Sequence, residues 1–141
     1  MPHTLFDPGE TRSLLRFDLD FLPAGAVVQS ATFGIHLRLR GSGEQVGLYR
    51  ITQEWGEDEP SWDSHAEQYD ASTEWGGFAV AGYGWLTSDV TGLVTGWAEG
   101  TYANYGLMMI NVSGQALDEY HSSEYATASY RPWLEVCYMV P

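Results

Sequence analysis

The sequence predicts an all-β fold, an antiparallel β-sandwich with one short helix. Several short segments alternate apolar and polar residues with period two, as strands do when one face meets a core. The chain also carries 16 glycines and only one segment with helical periodicity. Its 141 residues suit a single domain spanning residues 1–141.

The first strands are predicted on either side of a break in the pattern. Leu15, Phe17 and Leu19 alternate with polar residues, and the Pro-Ala-Gly run at 23–25 then interrupts the chain. The clearest strand follows at 31–40. Its apolar face consists of Ala31, Phe33, Ile35, Leu37 and Leu39. We expect these two apolar faces to point inward together, between two stacked sheets.

The rest of the chain predicts three further strands and the helix. Residues 46–52 and 106–112 are short and apolar, and alternation returns from Leu134 to Val140, directly after Pro132. Helical spacing is confined to four apolar residues, Val90, Leu93, Val94 and Trp97, with Asp89 or Thr91 placed to cap the start.

Two regions have no regular pattern. Residues 53–84 form a long aromatic and acidic segment, which we interpret as a loop and as the place to seek a site, because long loops in compact domains are often functional. Residues 1–12 are expected to form an edge strand or an arm.

Charge and cysteine content exclude several classes of function. The chain has nineteen acidic residues and only six basic ones, all arginine, so it should repel nucleic acid. Cys137 is the only cysteine, which excludes an internal disulfide and a thiolate zinc cluster. No apolar run is long enough to insert into a membrane, and no basic, apolar secretory signal opens the chain. Motifs of common hydrolases are also missing, so we expect no enzymatic activity.

Several segments in collinear order resemble one known family. They are 13–19 with 22–26, 46–52 with Trp55 and Trp62, 89–94 with Gly96-Trp97, 104–107, and 122–129 with Arg131-Pro132 and Leu134. They are similar to disaggregatase-related (DNRLRE-type) modules, which are grouped with the carbohydrate-binding modules. The resemblance implies a jelly-roll-like sandwich, an extracellular or surface-exposed location on a cell or virion, and non-catalytic polysaccharide binding or adhesion.

The resemblance also suggests an alternative function. Members of the family usually carry a strand upstream of the segment matched here by residues 4–7, and its loss would leave a sheet edge open. A neighbouring chain could pair with that edge, as in a homo-oligomer, a virion decoration protein or an extracellular filament.

The leading ligand-binding candidates lie in the 53–84 segment. Trp75 stands beside Tyr69, Asp70 and Tyr83, and Gly76 and Gly77 would leave its ring uncovered for a sugar; the alternative is that the ring folds over the sandwich. Trp55 and Trp62 match the family pattern, so we interpret them as core residues.

A second candidate is a stripe on one strand face. His36, Arg38 and Arg40 could grip an anionic sugar chain or an acidic subunit, or they could pair across strands with groups such as Asp18.

A third candidate is an acidic turn that could hold a metal ion. Glu57, Asp58 and Asp63 offer oxygen ligands for Ca²⁺, but their spacing is not that of an EF-hand, and a solvated acidic turn is the favoured interpretation.

Overall fold

The computed structural model describes residues 3–7, 10–56, 67–111 and 131–140, and within them side chains outside 3–11, 37–44, 80–83 and 111. The described chain contains six strands and one helix. The strands are β1 (His3–Asp7), β2 (Glu10–Leu15), β3 (Val27–Arg50), β4 (Gly76–Asp89), β5 (Leu107–Asn111) and β6 (Trp133–Met139), and α1 (Thr91–Ala98) lies between β4 and β5. No helix in these ranges has both the length and the apolar character needed to cross a bilayer.

The strands form two antiparallel sheets, of four and three strands, which confirms the predicted all-β sandwich. The larger sheet has the order β1, β2, β5 and the second half of β3. The smaller sheet places the first half of β3 between β6 and β4. β4 pairs with β3 along both halves. Jelly-roll connectivity stays a prediction, because residues 112–130 lie outside the described ranges.

One long strand, β3, joins the sheets where the sequence predicts two separate strands at 31–40 and 46–52. Its pairing with β4 shifts register between Leu37 and Gly41 and again between Ser42 and Glu44. Such irregularities bend a strand and increase its twist, so one continuous strand can take part in both sheets. The glycine-rich segment at 41–43 is therefore a bulged part of the strand and not a loop.

The main core lies between the sheets. Phe33 and Ile35 from the smaller sheet and Leu15 and Leu48 from the larger sheet are almost completely buried there. Their inward direction confirms the period-two prediction for β3; the side chains of Leu37 and Leu39 lie outside the described set.

The chain between β2 and β3 departs from the prediction. β2 ends at Leu15, so Phe17 and Leu19 are not strand residues, although both still pack against the core. The ring of Phe17 meets Phe33 edge to face at 5.9 Å, and its carbonyl accepts a hydrogen bond of 2.8 Å from the Asn104 side chain. The Asn104 side chain thus donates to the Phe17 carbonyl, which in a sheet would accept from the backbone N–H of a neighbouring strand.

The helix confirms the apolar spacing, and its start differs in detail. Leu93, Val94 and Trp97 are buried against β3, and Val90 occupies the N-cap position without a capping side chain. Asp89, one residue earlier, accepts hydrogen bonds from the backbone N–H and the hydroxyl of Thr91. These bonds satisfy a donor of the first turn and lower the pKa of Asp89.

The predicted loop at 53–84 is shorter than expected, because β4 begins at Gly76. Residues 76–84 are rich in glycine and carry little alternation, so their strand character comes from pairing with β3, for example Gly47 with Gly77. At the other end of the chain, β1 is the outermost strand of the larger sheet.

Candidate carbohydrate-binding site

Aromatic residues stand on the outward face of the smaller sheet. Because Phe33 and Ile35 point into the core, Gly34 and His36 point the other way. The register pairs Gly34 with Trp133 of β6 and His36 with Trp85 of β4. We call His36, Trp85 and Trp133, with Gly34 beneath them, the aromatic shelf.

The shelf is a contiguous set of rings. The centroids of Trp85 and Trp133 lie 6.0 Å apart with their planes tilted by 49°, and His36 meets Trp85 edge to face at 5.1 Å and 83°. The Trp133 ring covers Gly34 so closely that a Cβ on that glycine would overlap it. Trp85 is 40% exposed, and the other two rings are half-buried. Solvent therefore reaches an aromatic surface held by three hydrogen-bonded strands.

Polar side chains border the shelf on the same face. Thr87 pairs with Gly34 across β4, and Glu135 follows Trp133 by two residues on β6, so each points outward with the rings. Both are exposed. The face thus combines apolar ring surface with hydrogen-bonding groups, the combination that small-molecule sites use for affinity and orientation.

The predicted basic stripe consists of His36, Arg38 and Arg40, and the structure places His36 on the shelf. Arg38 and Arg40 continue the same strand, but their side chains lie outside the described set. Asp18, considered as a cross-strand partner, lies instead in the β2–β3 connection, where it accepts a hydrogen bond of 2.7 Å from the Asp20 backbone. The contact of His36 with Trp85 was not expected from the sequence.

The predicted loop candidates lie beside the larger sheet and are held by arginines. Asp70 accepts bonds from the hydroxyl and backbone N–H of Ser72 and from Arg50 at 3.2 Å, and these contacts lower its pKa. Tyr69 meets Tyr49 edge to face at 5.3 Å, and the guanidinium of Arg12 lies 5.4 Å from its ring centroid.

Trp75 lies near these residues, and its ring packs against the helix and the main core. Its ring lies against Gly92 of the helix and meets Tyr102 edge to face, with ring centroids 5.8 Å apart. The guanidinium of Arg50 lies 4.2 Å from the centroid of the same Tyr102 ring. The ring is half-buried against the main core, and its indole nitrogen is buried without a hydrogen-bond partner. Gly92 of the helix therefore lies against one side of the ring.

The remaining candidates divide between the described and undescribed parts of the chain. Trp55 is 4% exposed and donates to the Tyr105 carbonyl at 2.6 Å, which confirms its interpretation as a core residue. Tyr83 is a β4 residue whose side chain lies outside the described set. Outside the described ranges fall Trp62 and the acidic turn with Glu57, Asp58 and Asp63. Within those ranges, no three His, Cys, Asp or Glu side chains cluster as metal ligands, and calcium binding stays a prediction.

Sequence reasoning missed Trp85 and Trp133 as site residues. A signal was present, because each indole directly precedes an apolar residue, Leu86 or Leu134, that packs on the core. Each tryptophan therefore occupies the solvent side of its strand. What joins the two into one surface is the strand pairing, which local alternation does not reveal.

Comparison with known proteins assigns the chain to a family. A model of carbohydrate-binding module family 96 matches residues 6–137. The chain belongs to this family. The family 96 match confirms the carbohydrate-binding-module part of the resemblance seen in the sequence, while the narrower likeness to disaggregatase-related modules stays a prediction. No curated protein matches this family 96 module.

Proposed function

We propose that this family 96 module binds a polysaccharide without transforming it, and that the aromatic shelf is the binding surface. The observation that carries the proposal is the exposed Trp85 ring, 6.0 Å from Trp133 on the outward face of a sheet. Contact between an apolar ring surface and water is unfavourable in free energy, so covering the ring with the apolar face of a sugar favours binding.

The support of the shelf favours binding with little loss of conformational freedom. Trp133 is held over Gly34, and Trp85 is held against His36. Rings fixed in this way lose little rotamer entropy when a ligand covers them. Thr87 and Glu135 are placed to exchange hydrogen bonds with sugar hydroxyls at the border.

Three described carboxyl groups have a pKa displaced away from that of a catalytic acid. A glycosidase needs an acid whose pKa is raised so that it holds a proton at neutral pH. Among the described carboxyls, the pKa values of Glu54, Asp70 and Asp89 are lowered by hydrogen bonds, the direction opposite to the one that such an acid requires. None of these three residues belongs to the aromatic shelf.

The proposed function also predicts where the protein acts. A module for polysaccharides would meet its ligand outside the cell or on an exposed surface, as the sequence resemblance implies. The alternative function, a subunit that pairs through an open sheet edge, has no specific observation in its favour within the described part of the chain.

Affinity measurements on Trp85→Ala test the proposal. Isothermal titration and affinity gel electrophoresis of the wild type against soluble glycans, including alginate, pectin, glucans and mannans, would first identify a ligand. We then expect Trp85→Ala to lose at least about tenfold in affinity, the loss typical of a tryptophan anchor. Circular dichroism should show an unchanged fold, because this ring is exposed.

Phe21→Ala is the matched control. Phe21 is 54% exposed and lies in the β2–β3 connection. It precedes Val27, the first residue of β3, which is itself roughly 23 Å along the strand from Gly34. Removing it deletes a comparable aromatic surface and should leave the affinity unchanged. Loss of binding in Trp75→Phe or Tyr69→Phe, with Trp85→Ala unaffected, would move the site to the loop beside the larger sheet. A wild type that binds no glycan refutes the proposal.

A further inference from the structure

We infer that the aromatic shelf takes a single hydrated polysaccharide chain and rejects the flat face of a crystalline polysaccharide. This inference rests on the proposed function, because it concerns the same surface. It depends on one geometric feature, that the ring planes of the shelf are not parallel: Trp85 and Trp133 are tilted by 49°, and His36 stands at 83° to Trp85.

A flat crystal face needs coplanar rings. Dispersion contacts weaken steeply with separation, and a radial gap of about 1 Å already forfeits up to half of the attraction between two atoms. With a 49° tilt, only one of the two indoles can lie flat on a plane, and the other meets it along an edge. The shelf can therefore bring only about one of its two tryptophan rings into full contact with a crystal face.

The strand pairing holds this tilt in place. Trp133 lies so close to Gly34 that its ring has no room to sink further toward the sheet. Trp85 is in edge-to-face contact with His36, with ring centroids 5.1 Å apart. Turning both rings into one plane would break these contacts, so a crystalline ligand would have to supply the free energy that they contribute.

A single chain has the freedom that a crystal lacks. Rotation about its glycosidic bonds turns successive sugar rings relative to one another, so two neighbouring sugars can each face one of two tilted indoles. Its hydroxyls are also hydrated and available, whereas those of a crystal are largely committed to the lattice. Thr87 and Glu135, exposed beside the rings, can therefore exchange hydrogen bonds with a dissolved chain.

The experiment compares physical forms of polysaccharide. Soluble glucans, mannans, alginate and pectin are titrated by calorimetry, while adsorption isotherms are measured on microcrystalline cellulose, crystalline chitin and phosphoric-acid-swollen cellulose. We expect binding to at least one dissolved or swollen polymer, with adsorption to the crystalline solids absent or at least tenfold weaker. Trp85→Ala should reduce the binding, and Phe21→Ala should not.

Gly34→Ala tests the pinned tilt itself. Its methyl group would push the Trp133 ring away while both indoles remain in the protein. We expect at least a fivefold loss of affinity for the dissolved chain with an unchanged circular dichroism spectrum. Wild-type affinity in this variant would count against the geometric argument.

The outcomes separate the two proposals. Adsorption to a crystalline solid as tight as binding to any dissolved chain, and lost in Trp85→Ala, would overturn this inference and leave the proposed function standing. Absence of binding to every form would remove the proposed function, and this inference with it.

Discussion

Gly106, which leads into β5, lies where a side chain meets two separate penalties. Its φ of +92° is in the left-handed region, which costs a non-glycine residue about 1–2 kcal/mol. A Cβ there would also overlap the Leu15 carbonyl oxygen and stand 2.9 Å from the carbonyl carbon. That carbonyl belongs to the last residue of β2, which pairs with Leu107, so it cannot withdraw without straining the sheet.

For Gly106→Ala we therefore expect a loss of about 2–5 kcal/mol in the free energy of unfolding. The left-handed conformation contributes about 1–2 kcal/mol, and relief of the overlap by backbone shifts contributes about 1–3 kcal/mol. Gly100→Ala is the matched control. Gly100 also has a positive φ, +76°, but nothing lies within 4 Å of its added Cβ, so only the first penalty applies.

Urea denaturation of both variants separates the two contributions. The difference in free energy of unfolding between Gly106→Ala and Gly100→Ala should be about 1–3 kcal/mol, at equal dependence on urea concentration. A difference below about 0.5 kcal/mol would refute the reasoning, because it would mean that the Leu15 carbonyl gives way at no cost.

Two further perturbations concern the loop beside the larger sheet. Trp55→Phe keeps most of the buried ring but leaves the Tyr105 carbonyl without its 2.6 Å donor, so thermal unfolding should show a loss of about 1–3 kcal/mol; an unchanged midpoint would contradict this. Asp70→Asn should destabilise the protein at neutral pH, because the folded-state pKa of Asp70 is lowered by Ser72 and Arg50. A lowered pKa gives stability that is present above the unfolded value near 4 and is lost as the pH falls through the folded value. The gap between wild type and variant should therefore begin to narrow as the pH approaches about 4 and should close only below it in urea titrations. A difference in stability between wild type and variant that stays constant with pH would contradict the role of the Asp70 pKa.

Local periodicity was enough for much of the fold. The inward direction of Phe33 and Ile35 follows from alternation alone, and the buried face of the helix follows from the spacing of Leu93 and Trp97. Both periods are properties of the backbone, so a short stretch of sequence reveals them. They do not reveal where a strand ends, and Phe17, at a core-facing position beyond β2, shows this limit.

Features that depend on distant partners could not be predicted in the same way. Residues 76–84 alternate poorly, and only pairing with β3 makes them a strand. The aromatic, glycine-rich stretch around Trp75 indicates an exposed ring, yet the ring packs on the helix residue Gly92 and on Tyr102. Composition identified a region rich in aromatic residues, but the packing of each ring depends on elements far along the chain.

The sequence by itself determined the class of this protein: an acidic β-sandwich with one helix, similar to carbohydrate-binding modules. These properties are carried by composition, by local periodicity and by motifs in collinear order. The tertiary structure alone decided which aromatics share a surface. His36, Trp85 and Trp133 lie on three different strands, and only the antiparallel register of β6, β3 and β4 brings their rings together. Register is set by turns, bulges and burial across the whole sheet, so no single segment of sequence contains it.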